Sequence, residues 1–250
     1  MKKLQCLFFA MCLSIVPLLQ SCDNNDGYSL GDFSPPEWAT VHTTGNSFYL
    51  DSDDWGKLWP TNTNMGWYEP VDGQRVLTVF NPLSDEVAGY DHAVQILRIY
   101  NALTKSVETI TPENEKDFGN DPVLINKGDI SISGGYMNII FIQNLPADTK
   151  HRISLVQRVE DTDKSLINTD GYAHLELRYN DFDDLTGYRA YGLVSFNLSK
   201  LDITSETKGI KLKLNSEVNG EVEVTFDFKQ LTGGNTAGAN NYDFSKMQLK

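Results

Sequence analysis

The sequence predicts an all-β protein built as two β domains, and three observations carry that expectation. Short runs rich in β-branched and aromatic residues recur along the chain, parted by Gly, Pro, Asn and Asp. No segment sustains the apolar spacing of three and four that a long amphipathic helix requires. The last seven runs follow one another at the short intervals typical of a sandwich.

The chain opens on an export signal. A basic start (Lys2, Lys3) precedes an apolar run from Leu4 to Leu19 broken only by Gln5, Ser14 and Pro17. That run is shorter than the roughly 20 apolar residues a membrane span needs, and polar sequence follows at once. Leu18-Leu19-Gln20-Ser21-Cys22 then resembles the bacterial lipobox. The resemblance implies a lipoprotein signal over 1–22 that is cut just before Cys22, acylation of that cysteine, and anchorage in the outer membrane. Residues 23–36, polar and glycine-containing at their start, read as a flexible tether, and the acids following Cys22 are similar to the export signals of surface lipoproteins. Of the three cysteines, Cys6 and Cys12 fall in the signal and Cys22 takes the lipid, so the mature body forms no disulfide and rests on its core.

The first domain is expected over residues 37–111. Trp38–Thr43 and Ser47–Leu50 read as strands around the turn Thr44-Gly45-Asn46, followed by Arg75–Phe80 and His92–Leu103. Asp85–Tyr90 could hold one turn of helix. Thr111–Pro122 combines two prolines, a glycine and a block of charge, which places the domain boundary there. The second domain, 112–231, carries strands over Asp129–Ser133, Tyr136–Gln143, His151–Val159, Tyr172–Tyr179, Tyr188–Leu198, Ile210–Leu214 and Val222–Phe228. In the last two, apolar residues alternate with Lys211 and Lys213 and with Glu221, Glu223 and Asp227, so each strand has one wet face. A three-residue loop over Val218-Asn219-Gly220 is expected, pairing Leu214 with Val224 and Leu212 with Phe226. Residues 232–250 lack apolar bulk and read as a mobile tail.

With the strands placed, the chain resembles the NigD-like lipoprotein family. The resemblance rests on Asp26–Phe33, Ala39-Thr40-Val41, Leu58-Trp59-Pro60, Gly119-Asn120-Asp121-Pro122, Ile132-Ser133-Gly134-Gly135-Tyr136, Leu175-Glu176-Leu177 and Ala190–Phe196. Ser34-Pro35-Pro36-Glu37 departs from the family's usual opening. The resemblance implies an N-terminal OB-like barrel followed by a C-terminal β-sandwich. It also implies an immunity role beside a bacteriocin, and it brings no catalytic residues.

Composition narrows the partners. Loss of Lys2 and Lys3 leaves 19 basic residues of the 21 against 34 acids, a charge of about −15. Such a surface lacks the basic footprint of a nucleic-acid binder and cannot adhere to anionic lipid by charge, so membrane attachment falls to Cys22.

Candidate chemistry is sparse. His42, His92, His151 and His174 lie far apart and form no zinc-helix spacing, and no nucleophile elbow, Walker loop or dinucleotide fingerprint appears. Two acidic clusters, Asp51/Asp53/Asp54 and Asn180/Asp181/Asp183/Asp184, pose calcium binding against solvated loop acids, without EF-hand spacing in either. All four tryptophans fall between Trp38 and Trp67. They either plug the first domain's core or offer sugar rings a stacking surface, and Trp55, Trp59 and Trp67 are the residues offered as ligand-binding. The expectation is therefore a lipid-anchored envelope protein without catalysis, cofactor or metal, binding a protein or glycan partner outside the cytoplasm. Bacteriocin immunity is its first form, a surface glycan-binding accessory its second, and a hydrolase a distant third.

Overall fold

The structure is a computed structural model that describes residues 28–29, 31–62, 65–158 and 170–231. The signal, Cys22, most of the tether and the tail at 232–250 lie outside the described residues. Five strands close a barrel: β1 (Glu37–Thr44), β2 (Ser47–Ser52), β3 (Gly56–Pro60), β4 (Arg75–Val87) and β5 (Tyr90–Asn101), in the order β1-β2-β3-β5-β4. Closure removes the sheet edges that an open five-stranded sheet would present. Alternation supplies the core: Val41, Leu50, Leu58, Val76, Phe80 and Val94 point inward and are wholly buried. β4 carries Pro82 within a strand. It is tolerated because the pairing with β5 shifts register between Pro82 and Ser84, at a bulge where no donor is needed.

Asp85–Tyr90 forms a hairpin turn instead of a helical one. Val87 pairs with Tyr90, leaving Ala88 and Gly89 as a two-residue loop at φ 50° and 91°. Positive φ at both loop positions matches the twist of the flanking strands, and glycine at the second carries it without strain.

The second domain is a sandwich. One sheet runs β14-β13-β11-β10-β7 and the other β6-β12-β9-β8. The strands are β6 (Leu103–Ser106), β7 (Glu108–Ile110), β8 (Ile130–Ser133), β9 (Tyr136–Asn144), β10 (Arg152–Arg158), β11 (Tyr172–Asn180), β12 (Arg189–Asn197), β13 (Gly209–Ser216) and β14 (Gly220–Asp227). Inward residues of the two sheets interdigitate: Leu155, Leu175, Leu212 and Ile210 from one face Met137, Ile139, Val194 and Phe196 from the other. Among the described residues, helix is confined to two four-residue turns, α1 (Glu115–Phe118) and α2 (Phe228–Leu231), and a short 3-10 turn at Lys127–Asp129.

Two expectations are corrected. Thr111–Pro122 lies inside the sandwich, because β6 and β7 on its N-terminal side already pair in parallel with β12 and β10. The chain leaves the barrel at Asn101, passes through buried Ala102, and enters one sandwich sheet and then the other. The β13–β14 register also differs by two residues. Ser216 pairs with Gly220, Leu214 with Val222 and Leu212 with Val224, so the loop is Glu217–Asn219. The Ser216 hydroxyl oxygen accepts the amides of Val218 and Asn219 and tightens that loop, and Gly220 at φ 68° begins the return strand. A shift of two preserves which face is wet, and it sets Lys213 opposite Glu223.

The two domains are locked by a buried ion pair. Arg75, at the start of β4, is wholly buried and grips Asp53 with both terminal nitrogens, at 2.8 and 2.6 Å. The sandwich completes the shell. Ser133 donates to Asp53 Oδ2 at 2.6 Å, Arg75 Nη2 donates to Asn138 Oδ1 at 3.1 Å, and Ser195 donates to the same oxygen at 2.7 Å. Tyr136 lies under the guanidinium at 4.5 Å. Gly134, at φ 57°, sits where an added Cβ would meet Asp53 Oδ1 at 2.2 Å, so this turn reaches the pair only as glycine. Leu77, Ala102, Ile140 and Leu193 form a further buried cluster across the joint, with Trp38, Tyr100 and Tyr191 packed against it.

Candidate functional site

The same joint leaves a cleft of about 260 Å³ between the domains. Gln74 and Asn101 bound it from the barrel side, and Leu103, Phe141, Leu145 and Ile153 from the sandwich. Gly192 on β12 makes room for its wall, since a Cβ there would meet the Phe141 ring at 2.3 Å. The polar end is built by His151 and Tyr179. His151 Nε2 lies 2.8 Å from the carbonyl oxygen of Asp184, which can only accept, so Nε2 carries a proton. In the neutral ring Nδ1 then accepts the Tyr179 hydroxyl at 2.6 Å, with the Gln143 amide oxygen 3.3 Å from that hydroxyl. Burial, with Asp181 and Asp121 adding to it, pushes the Tyr179 phenol well above its ordinary range, so it remains a neutral donor.

Above the cleft, the loop 181–188 is pinned from several directions. The Asp184 carboxylate accepts the backbone amides of Ala147 (3.1 Å), Asp148 (2.8 Å) and Thr149. The Thr186 amide donates to Leu145 O and the Leu145 amide to Tyr188 O. Asn180 and Asp181 close further turns on the amides of Phe182 and Asp183, both at positive φ. So held, the loop presents Phe182, Leu185 and Tyr188 outward, at 47%, 50% and 75% exposure. Large apolar side chains on a fixed loop lose little freedom when a partner covers them.

The amides of Thr149 and Asp148 hold the Asp184 carboxyl below the usual carboxylate range. A lowered value means that this clamp is present at neutral pH and is released only as the medium becomes more acidic than an ordinary aspartate tolerates. Asp184→Ala is expected to leave the sandwich folded and to speed exchange of the Ala147, Asp148 and Thr149 amides at least about tenfold. Amide exchange followed by NMR checks this, and unchanged protection would show that the clamp is held by other contacts.

The offered tryptophans join three separate groups of rings. Trp55 is half-buried, packs on the barrel core edge-on to Phe80, and meets Tyr28 and His92. Trp59 is also half-buried and lies 4.9 Å from Tyr90, which continues through Tyr49 to His42 along the outer wall. Trp67 is 65% exposed beside Tyr68, whose hydroxyl reaches Asn101 at the cleft. Of the first acidic cluster, Asp53 is committed to Arg75, while Asp51 and Asp54 are exposed. In the second, Asn180, Asp181 and Asp184 are used on backbone amides, as above. Three histidines sit beside aspartates: His42 by Asp72, His92 by Asp85 and His174 by Asp170. Among the described residues no group of three or more His, Cys, Asp or Glu could hold a metal ion.

Sequence reasoning did not single out Phe182, Leu185 and Tyr188. A signal was present: large apolar residues alternate with acids in a stretch that has no strand period, Asp181-Phe182-Asp183-Asp184-Leu185.

A closed five-stranded barrel joined through a buried ion pair to a sandwich of two mixed sheets, with a cleft at the joint, defines a two-domain β protein with an OB-type first domain. The chain belongs to the NigD-like family: the NigD-like N-terminal OB domain matches residues 38–101 and the NigD-like C-terminal β-sandwich domain matches residues 106–228. Three solved structures share the fold. A Bacteroides vulgatus protein of unknown function is 27% identical, with a TM-score of 0.72 over 86% of this chain and 99% of its own. A Parabacteroides distasonis protein described as toxin related is 32% identical, with a TM-score of 0.63 over 79% and 93%. A NigD-like immunity protein from Bacteroides caccae is 18% identical, with a TM-score of 0.56 over 79% and 94%. No curated protein matches the chain.

Proposed function

We propose that this is a lipid-anchored envelope protein that works by binding, without catalysis, and that captures a folded protein partner outside the cytoplasm in the manner of an immunity protein. The observation that carries this reading is the pinned loop bearing Phe182, Leu185 and Tyr188. Aromatic and apolar anchors on a preorganised loop are what a protein interface concentrates its binding energy on. The toxin-related description of the 32% identical relative points to the same kind of partner. Anchorage rests on the signal and Cys22. Among the described residues no helix is long and apolar enough to cross a membrane.

Fractionation of cells producing wild type and Cys22→Ala tests the anchor. Wild type is expected with the outer membrane and the variant in the soluble fraction. Equal membrane retention of the variant would contradict the reading. Protease added to intact cells then tests the side: digestion of wild type, with protection when Asp23 and Asp26 are neutralised, is the result expected of surface display.

A second reading, a surface glycan-binding accessory, is favoured by one observation. His42 and Tyr49 stack at 5.0 Å, Tyr49 meets Tyr90 at 5.4 Å, and Tyr90 meets Trp59 at 4.9 Å. On β1, β2 and β3 the ring-bearing residues alternate with inward Val41, Leu50 and Leu58, so the core does not require them. Trp59, with Trp67 as a separate exposed ring, would carry glycan contact in this reading, and Trp55 would support it from the barrel core.

A further inference from the structure

We infer that the cleft at the domain joint binds a small carboxylate with an apolar body, whose charge is received by Lys150. This goes beyond protein capture by the loop above it and does not depend on that reading.

Size comes first. At about 260 Å³ the cleft falls just below the roughly 300–1,000 Å³ of sites for drug-sized ligands, so its occupant is a molecule of about a dozen heavy atoms. Position agrees, since ligand sites favour domain interfaces, and here both domains supply wall. The buried ion pair of Arg75 and Asp53 fixes the distance between those walls, so the space is preformed.

Chemistry of the lining sets the ligand class. Leu103, Phe141, Leu145, Pro146 and Ile153 make one continuous apolar wall. At the other end lie Gln143, Lys150, His151 and Tyr179. His151 and Tyr179 satisfy each other and the Asp184 carbonyl, so they are spoken for. Lys150 differs. It has no carboxylate partner among the described residues and stands in the lining of the cleft. On the loop above, the Asp184 carboxylate is occupied by three backbone amides. An unpaired cation at the rim of an apolar cleft selects an anion with an apolar body, and the Gln143 amide can add a donor beside it.

The test is calorimetric titration of the full mature chain with decanoate and with indole-3-propionate, each against its neutral counterpart, 1-decanol and indole-3-propionamide. These arms separate an aliphatic from an aromatic body. At least one acid is expected to bind one-to-one, about tenfold or more tighter than its neutral counterpart. Lys150→Gln, on an exposed side chain, should erase that preference while leaving the neutral compound's affinity unchanged. Leu103→Trp, at a residue 47% exposed, should plug the cleft and abolish binding of both. Unchanged melting temperatures would show that both variants fold. The inference is overturned if neither acid binds, if Lys150→Gln keeps the acid preference, or if Leu103→Trp binds as wild type does. Loss of cleft binding with an intact loop partner, or the reverse, separates its failure from that of protein capture.

Discussion

Replacing Arg75 with alanine is expected to cost about 3–5 kcal/mol of stability, the range for breaking a buried ion pair by removing one partner. Asp53 would keep its charge at 5% exposure with only Ser133 donating to it, and the sandwich would lose the guanidinium that holds Asn138. The cost comes mainly from the charge left behind, so Asp53→Asn in the Arg75→Ala background should restore part of it. Because the pair is the polar centre of the domain joint, the loss should also be visible as cooperativity. Wild type should unfold as one unit in denaturant, while Arg75→Ala separates barrel from sandwich and lowers the apparent slope. Denaturant unfolding followed by tryptophan fluorescence, which reports the barrel because all four tryptophans lie there, against far-UV circular dichroism measures both. A loss below about 1 kcal/mol would place the pair among exposed ones in energetic worth.

The second large effect depends on pH. Glu37 opens β1 at 2% exposure, and its Oε1 accepts the Ser52 hydroxyl at 2.7 Å and the Asp54 amide at 3.0 Å. Burial pushes its carboxyl from the ordinary 4.5 up to about 7, with the charges of Asp54 and Asp53 adding to it. The folded chain therefore binds a proton there that the unfolded chain has released between about pH 4.5 and 7, and stability from this group is lost as pH rises through that window. Glu37→Gln keeps an acceptor for Ser52 and Asp54 without an ionisation to oppose. It is expected to match wild type at pH 4.5 and to exceed it by about 2–3 kcal/mol at pH 8, using about 1.4 kcal/mol for each tenfold displacement. Thermal melts of both proteins across that range check the sign. A variant that is less stable than wild type at pH 8 would mean the carboxylate is ionised and compensated.

Much of the strand content was legible because half-buried strands must alternate. Ile210, Leu212 and Leu214 against Lys211 and Lys213 fixed which face of β13 is wet, and that survived a register shift of two. The register itself follows from where the three-residue loop sits, one position earlier than alternation suggests, with the Ser216 hydroxyl capturing two of its amides, a local competition that side-chain alternation does not encode. The barrel was reached by resemblance, since its closing parallel pair, β3 with β5, joins strands separated by a long connection. The domain boundary was placed late because β6 and β7 are four and three residues long, too short to show a period, and because breaker residues mark loops inside domains as readily as between them. The joint was illegible in detail. Asp53, Arg75 and Ser133 meet over separations of 22 and 80 residues. Yet Ser133-Gly134-Gly135-Tyr136 had been singled out by resemblance, and the structure gives three of its four residues work at the ion pair. The site was missed for a related reason: exposed apolar residues acquire meaning only once a loop is seen to be pinned.

The most direct test of the account is photo-crosslinking from the loop in intact native cells. A photoreactive amino acid replaces Tyr188, and a control replaces exposed Glu206, in the segment after β12 and so remote from the turn that enters that strand. The account predicts a discrete protein adduct from position 188, none from 206, and loss of the adduct when Phe182 and Leu185 are changed to serine. Equal labelling from both positions, or an adduct at 188 that survives those two substitutions, would contradict it.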